Sequence, residues 1–132
     1  MRKDLKKKLK QLGVSVVYLF GSRVIGRHSK LSDIDIGVVI KDFSLSNDTR
    51  ALYTALYKLF SELYSDSKID IVYLQTAPLS LQYSAIRNVK ILFEEDPVFT
   101  ADYEHGVIKQ YLDFRPVLDF FDRTAAERYA KT

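Results

Sequence analysis

The chain has 132 residues, of which 47% are hydrophobic and 28% charged, enough apolar material for one domain with a core and too ordered a balance for a disordered segment. It contains no cysteine, which excludes disulfides and thiolate metal sites. The formal charge of +3 and pI near 9.0 suggest nucleic acid, but residues 1–10 alone carry six basic groups against one acid, a net +5, and the other 122 residues carry a net −2. The basicity belongs to one terminal segment, and nucleic acid drops to a minor option.

That segment opens the chain. Leu5, Leu9 and Leu12, with lysines between them and Gly13 after, predict a short amphipathic helix closed by glycine. The apolar run Val14–Phe20, which includes Ser15, is at the very bottom of the length range of a secretory signal and has no cleavage site after it, so that reading is rejected. Its β-branched and aromatic content predicts a buried strand ending at Gly21. Residues 21–32 read as a polar loop, with a short helix allowed near Ser22, and Asp33–Ile40 as a second strand. Ser46 or Asn47 can cap a helix over 48–64, whose stripe is Leu52, Leu56, Leu59, Phe60 and Leu63.

Ile69–Leu74 is a third strand. Pro78 starts a further helix with Leu81, Ala85, Ile86 and Val89, and Val89–Phe93 is a fourth strand. Residues 98–128 carry a helical pattern in which Gly106 and Pro116 are expected interruptions. The alternation of elements predicts an α/β layer fold in a single domain, 1–132. No run approaches the ~20 apolar residues of a membrane helix, so a soluble, cytoplasmic protein is expected.

The segment GSRVIGRHSKLSDID, residues 21–35, carries the chemistry. Gly21 lets backbone N–H groups approach an anion, and Ser22 adds a hydroxyl at the start of the turn, so together they can cradle phosphate. Arg23, Arg27 and Lys30 stand in the same loop and can neutralise phosphate charge, or simply be solvated cations. Asp33 and Asp35, at i and i+2 on a strand, project from one face while Ile34, Ile36 and Val38 take the other. Adjacent carboxylates at a buried strand's start demand a counter-charge, and Mg²⁺ with its oxygen preference fits. Asp70, among Ile69, Ile71 and Val72, is a third carboxylate on a neighbouring strand. Such a trio can hold two metal ions ~4 Å apart. Taken singly, each feature also fits an ordinary turn or strand end. His28 and His105 stand without partners at ligand spacing and are assigned no role.

Gly21-Ser22, ten residues ending in Ser32, then Asp33-x-Asp35, with a later strand aspartate, resembles the nucleotidyltransferase superfamily related to DNA polymerase β. The resemblance spans about residues 14–74. It implies an α/β (α+β) fold with a mixed sheet of about four strands flanked by helices. It also implies that Gly21, Ser22 and Arg23 bind nucleotide phosphates, that Asp33, Asp35 and Asp70 are catalytic and ligate two Mg²⁺ ions, and that ATP is the substrate. The tail EHGVIKQYLDFRPVLDFF, residues 104–121, is similar to the C-terminal helix of minimal nucleotidyltransferase (MNT) antitoxins of the MntA type, with Tyr111–Pro116 as the matching stretch. Those antitoxins act with a HEPN-domain ribonuclease toxin and move AMP from ATP onto a toxin tyrosine. The implied partner is therefore a HEPN toxin in a hetero-oligomer, met by an apolar surface whose candidates are Phe99, Tyr103, Tyr111, Phe114, Phe120 and Phe121, each of which fits a core-facing stripe of the C-terminal helix at least as well. The alternatives are an antitoxin that inhibits by binding alone, and a nucleotidyltransferase acting on a small molecule such as an aminoglycoside.

Overall fold

The computed structural model describes residues 3–20, 34–42, 49–87 and 90–130. Helix α1 (Lys3–Gln11) buries Leu9 completely and turns its lysines outward. It stops at Gly13, whose φ of 81° is cheap only for glycine and whose carbonyl accepts the Lys41 amide at 2.9 Å. Strand β1 (Val14–Phe20) is buried at every position except the half-covered Leu19. It lies between β2 (Ile34–Ile40) and β4 (Lys90–Glu94), antiparallel to both, while β3 (Ile69–Tyr73) pairs parallel with β2. The resulting mixed sheet has the order β3-β2-β1-β4.

Helices cover both faces. On the first, α1 and α2 (Thr49–Leu63) place Leu9, Leu56 and Phe60 against Val14, Val17, Ile34, Ile36, Val38 and Ile40. On the second, α3 (Leu79–Arg87) and α4 (Pro97–Ala130) bring Leu81, Ala85, Ile86, Phe99 and Tyr103 against Val16, Tyr18, Phe20, Val39 and Leu74. A bulge at Ser15, between Val14 and Val16, reverses the alternation of β1 and explains why these two valines serve opposite faces. Past Tyr73 the chain makes a 3-10 turn (Leu74–Thr76). From it, Gln75 Nε2 donates to the Ile40 carbonyl, and the Ile40 amide donates to Gln75 Oε1 at 2.9 Å, so a side-chain amide extends the β2 ladder.

The expected α/β (α+β) class and four-stranded mixed sheet are present. The strands fall within a residue of the predicted spans where described, and Asp33, Asn47 and Val89 lie outside the described residues. Leu63, placed in the buried stripe of α2, is instead 42% exposed, because the stripe drifts off the sheet in the last turn.

The larger correction concerns the C-terminal region. Residues 97–130 form one continuous helix about 51 Å long, uninterrupted at Gly106 or Pro116. Asp96 caps it, accepting the Val98 amide at 3.0 Å, and Phe99, Thr100, Tyr103 and Val107 anchor its first turns. Once nucleated on the sheet, the helix propagates through a glycine costing about 1 kcal/mol and a proline costing about 3 kcal/mol. Gly106 has open space around it, so packing does not require a glycine there.

Candidate active site

Strands β2 and β3 begin side by side, and their parallel register places Asp35 directly opposite Asp70. Neighbouring strands lie about 5 Å apart, and in-register residues point to the same face. The two carboxylates therefore stand together on the α3/α4 face, at the end of the sheet where that face opens. Along β2 the burial rises from half-covered Asp35 to buried Gly37 and Val39. Along β3 it rises from exposed Asp70 through Val72 to fully buried Leu74. Ile34 and Ile36, on the other face, fix β2 in the core, and the Ile34 amide donates to the Lys68 carbonyl at 2.8 Å to start the pairing.

Phe20, the last residue of β1, pairs with Asp35 from the opposite side. The strand that leads into Gly21-Ser22 thus ends level with the two carboxylates. Gly21, Ser22, Arg23 and Asp33 themselves lie outside the described residues, as do Arg27, His28 and Lys30. Asp35 and Asp70 supply hard oxygen donors on adjoining strands, a set that suits Mg²⁺ rather than a soft metal. Among the described residues alone there is no cluster of three metal-ligating side chains.

Two residues beside the carboxylates were not singled out by sequence reasoning. They are Phe20 and Gly37, and the signal available was a glycine in a strand interior, which marks close approach of another group. The grooves of about 260–270 Å³ lined by Leu5, Lys8, Leu59 and Glu62 lie between α1 and α2, on the opposite face from Asp35 and Asp70.

Deeper on the carboxylate face sits a polar cluster. Tyr103 donates to Gln82 Oε1 at 2.9 Å, and Gln82 Nε2 donates to the Ala77 carbonyl at 2.9 Å, tying α4 to α3. The Tyr18 hydroxyl is fully buried and makes no hydrogen bond of ordinary length among the described residues; Glu104 is the acceptor it faces. Burial, reinforced by the Glu104 charge, pushes both tyrosines well above their ordinary range, so they stay neutral. Burial likewise raises Glu104, opposed by the Tyr18 hydroxyl and reinforced by Glu94.

Residues 3–98 match the family model described as polymerase beta, nucleotidyltransferase. The chain belongs to this nucleotidyltransferase family. Among curated protein sequences there is no significant match. Among solved structures, the nucleotidyltransferase is similar to a chain of a toxin–antitoxin complex with AMP-PNP, at 22% identity and TM-score 0.66, with 100% of both chains covered. It is also similar to a chain of the Shewanella oneidensis complex of a tri-AMPylated HEPN toxin with MNT antitoxin, at 24% identity and TM-score 0.61, again with 100% of both chains covered. A third, from an MntA toxin–antitoxin complex, has 23% identity and TM-score 0.61 over 99% of this chain and 100% of that one. At these identities the likeness establishes the fold alone.

The apolar candidates on α4 divide. Phe99 and Tyr103 pack into the core, the second of the two roles open to them. Tyr111 is half-covered and stacks on Tyr83 with ring centroids 3.8 Å apart. Phe114 and Phe120 are 55% and 59% exposed, and Leu112 and Val117 join them. Phe121 is among the side chains outside the described set. No helix of the described residues is long and apolar enough to cross a membrane.

Proposed function

We propose that this nucleotidyltransferase is an antitoxin that transfers AMP from ATP to a tyrosine of a cognate HEPN ribonuclease toxin and so neutralises it. The observation that carries the reading is the in-register Asp35–Asp70 pair at the open end of a nucleotidyltransferase sheet. Its support from relatives is the fold shared with chains of complexes that contain AMP-PNP or an AMPylated HEPN toxin.

In this reading Gly21, Ser22 and Arg23 hold the triphosphate, and Asp33, Asp35 and Asp70 are the ligands of two Mg²⁺ ions. Bound there, the ions supply positive charge against the phosphates and acidify the attacking hydroxyl. The toxin's tyrosine oxygen attacks the α-phosphorus in line, and the bond to the pyrophosphate oxygen breaks. Asp70, exposed at its strand's start, accepts the tyrosine proton. Pyrophosphate leaves past Gly21 and Ser22. Residues 1–132 act as one catalytic domain in the cytoplasm, and the partner protein supplies the acceptor. The toxin docks on the second half of α4, where Leu112, Phe114, Val117 and Phe120 offer apolar surface.

The test uses ATP labelled on the α-phosphate, Mg²⁺ and the product of the neighbouring gene as the candidate toxin. Label appears on the toxin, and Asp35→Asn abolishes it. Neutralisation that persists without label in the Asp33→Asn/Asp35→Asn double variant overturns the catalytic reading in favour of inhibition by binding alone.

A further inference from the structure

Gly37 lies two residues beyond Asp35 on the same face of β2, between Tyr18 of β1 and Val72 of β3. A Cβ there would stand 2.9 Å from Leu74 Cδ1, 3.1 Å from Leu74 Cγ and 3.1 Å from Phe20 Cε1. Distances this short leave no room for a methyl group, so the bare Cα is the floor on which both side chains rest. Phe20 reaches it diagonally from its place opposite Asp35, the i to j+2 contact that aromatic rings make across antiparallel strands. Leu74 arrives from the turn after β3, four residues beyond Asp70.

We infer that Gly37 is a positioning residue: the Phe20–Gly37–Leu74 contact sets the end of β1 against the two strands that carry Asp35 and Asp70. Side chains from the end of β1 and from the turn after β3 meet at this one glycine of β2. Strand interiors disfavour glycine, which has no side chain to pack and more backbone freedom to lose. Here the close approach of two side chains offsets that cost. The direction in which the contact yields also follows. Leu74 is fully buried beneath α3 and α4, whereas Phe20 is 7% exposed at the open end of the face. A methyl group on Gly37 presses on Leu74 first and on Phe20 next, and of the two Phe20, at the open end, has room to move, toward the carboxylates.

The inference rests on the nucleotide-transfer reading but is tested by binding, independently of any acceptor. The probe is AMP-PNP with Mg²⁺, titrated calorimetrically into the full chain, with thermal unfolding followed in parallel. Gly37→Ala weakens binding about tenfold, as expected when overpacking displaces a site-forming side chain. Phe20→Leu, which removes the ring atom that would clash, weakens it about threefold by loosening the same contact. The Gly37→Ala/Phe20→Leu double variant binds better than Gly37→Ala alone, because the added methyl then meets Leu74 only. That non-additivity distinguishes positioning from a general loss of stability. Full-strength binding by a destabilised Gly37→Ala protein, or a folded double variant no better than Gly37→Ala, overturns the inference. If Gly37→Ala does not fold, Phe20→Leu decides alone: unchanged affinity overturns it. Wild-type protein that binds Mg²⁺·AMP-PNP yet labels no toxin defeats the transfer reading and leaves this inference standing. Wild-type protein that binds no nucleotide defeats both.

Discussion

The two faces of the sheet carry comparable apolar cores by different means. The face under α1 and α2 is built mostly from valines, isoleucines and leucines, with two phenylalanines, Phe60 and Phe93, and its fully buried strand residues Ile34, Ile36 and Val38 run in unbroken alternation. The face under α3 and α4 mixes Tyr18, Phe20, Tyr103, a glycine floor and a half-covered carboxylate, Glu104. The first face needs volume and periodicity, and many aliphatic combinations would satisfy it. The second needs particular residues, because aromatic rings, hydroxyls and a bare Cα must fit one another and leave one end open. That difference separates the part of the molecule that holds the fold from the part that positions the chemistry.

Substitutions that strike one face and spare the other sharpen the comparison. The largest expected effect is on the aliphatic face. Phe60→Ala empties a fully buried site and lowers unfolding free energy by about 4 kcal/mol in a denaturant titration. At a temperature where the variant remains folded, its affinity for Mg²⁺·AMP-PNP stays at the wild-type value; a parallel loss of affinity would show that the faces are not separable.

Asp70→Asn does the reverse. The residue is exposed at a strand start, so the melting temperature moves little, while label transfer to the toxin falls about a hundredfold, the scale of losing a proton acceptor.

The smallest effect is Glu104→Gln. Burial, with Glu94 adding repulsion, raises the folded pKa of Glu104 above its ordinary 4.5, although the Tyr18 hydroxyl opposes the shift. A raised folded pKa means that the stability associated with the neutral form is complete below the unfolded pKa and is lost as pH rises through the folded value. Glutamine keeps a neutral polar group there at every pH. The variant therefore melts with wild type at pH 4 and below and slightly above it at pH 7, and a gap that is constant across this range would contradict the assignment.

Much of the fold was legible because its signals are local. Leu5, Leu9 and Leu12 with Gly13, and the continuous run Val14–Phe20, depend on residues within one helical turn or one strand. The long helix was not legible as one piece. Gly106 and Pro116 are breakers by intrinsic preference, and only the anchoring of Phe99, Thr100, Tyr103 and Val107 on the sheet outweighs them. The same anchoring turned Phe99 and Tyr103 from partner-surface candidates into core.

The candidate site divides along the same line. Sequence alone determined which residue types are available: aspartates on strand-like runs and a Gly-Ser pair after a buried strand, each read from its own few neighbours. Only the tertiary structure decided that Asp35 and Asp70, 35 positions apart, share one register, and that Phe20 and Leu74 close over Gly37 between them. Strand order and parallel pairing are choices made between distant segments through packing, and no local periodicity encodes them.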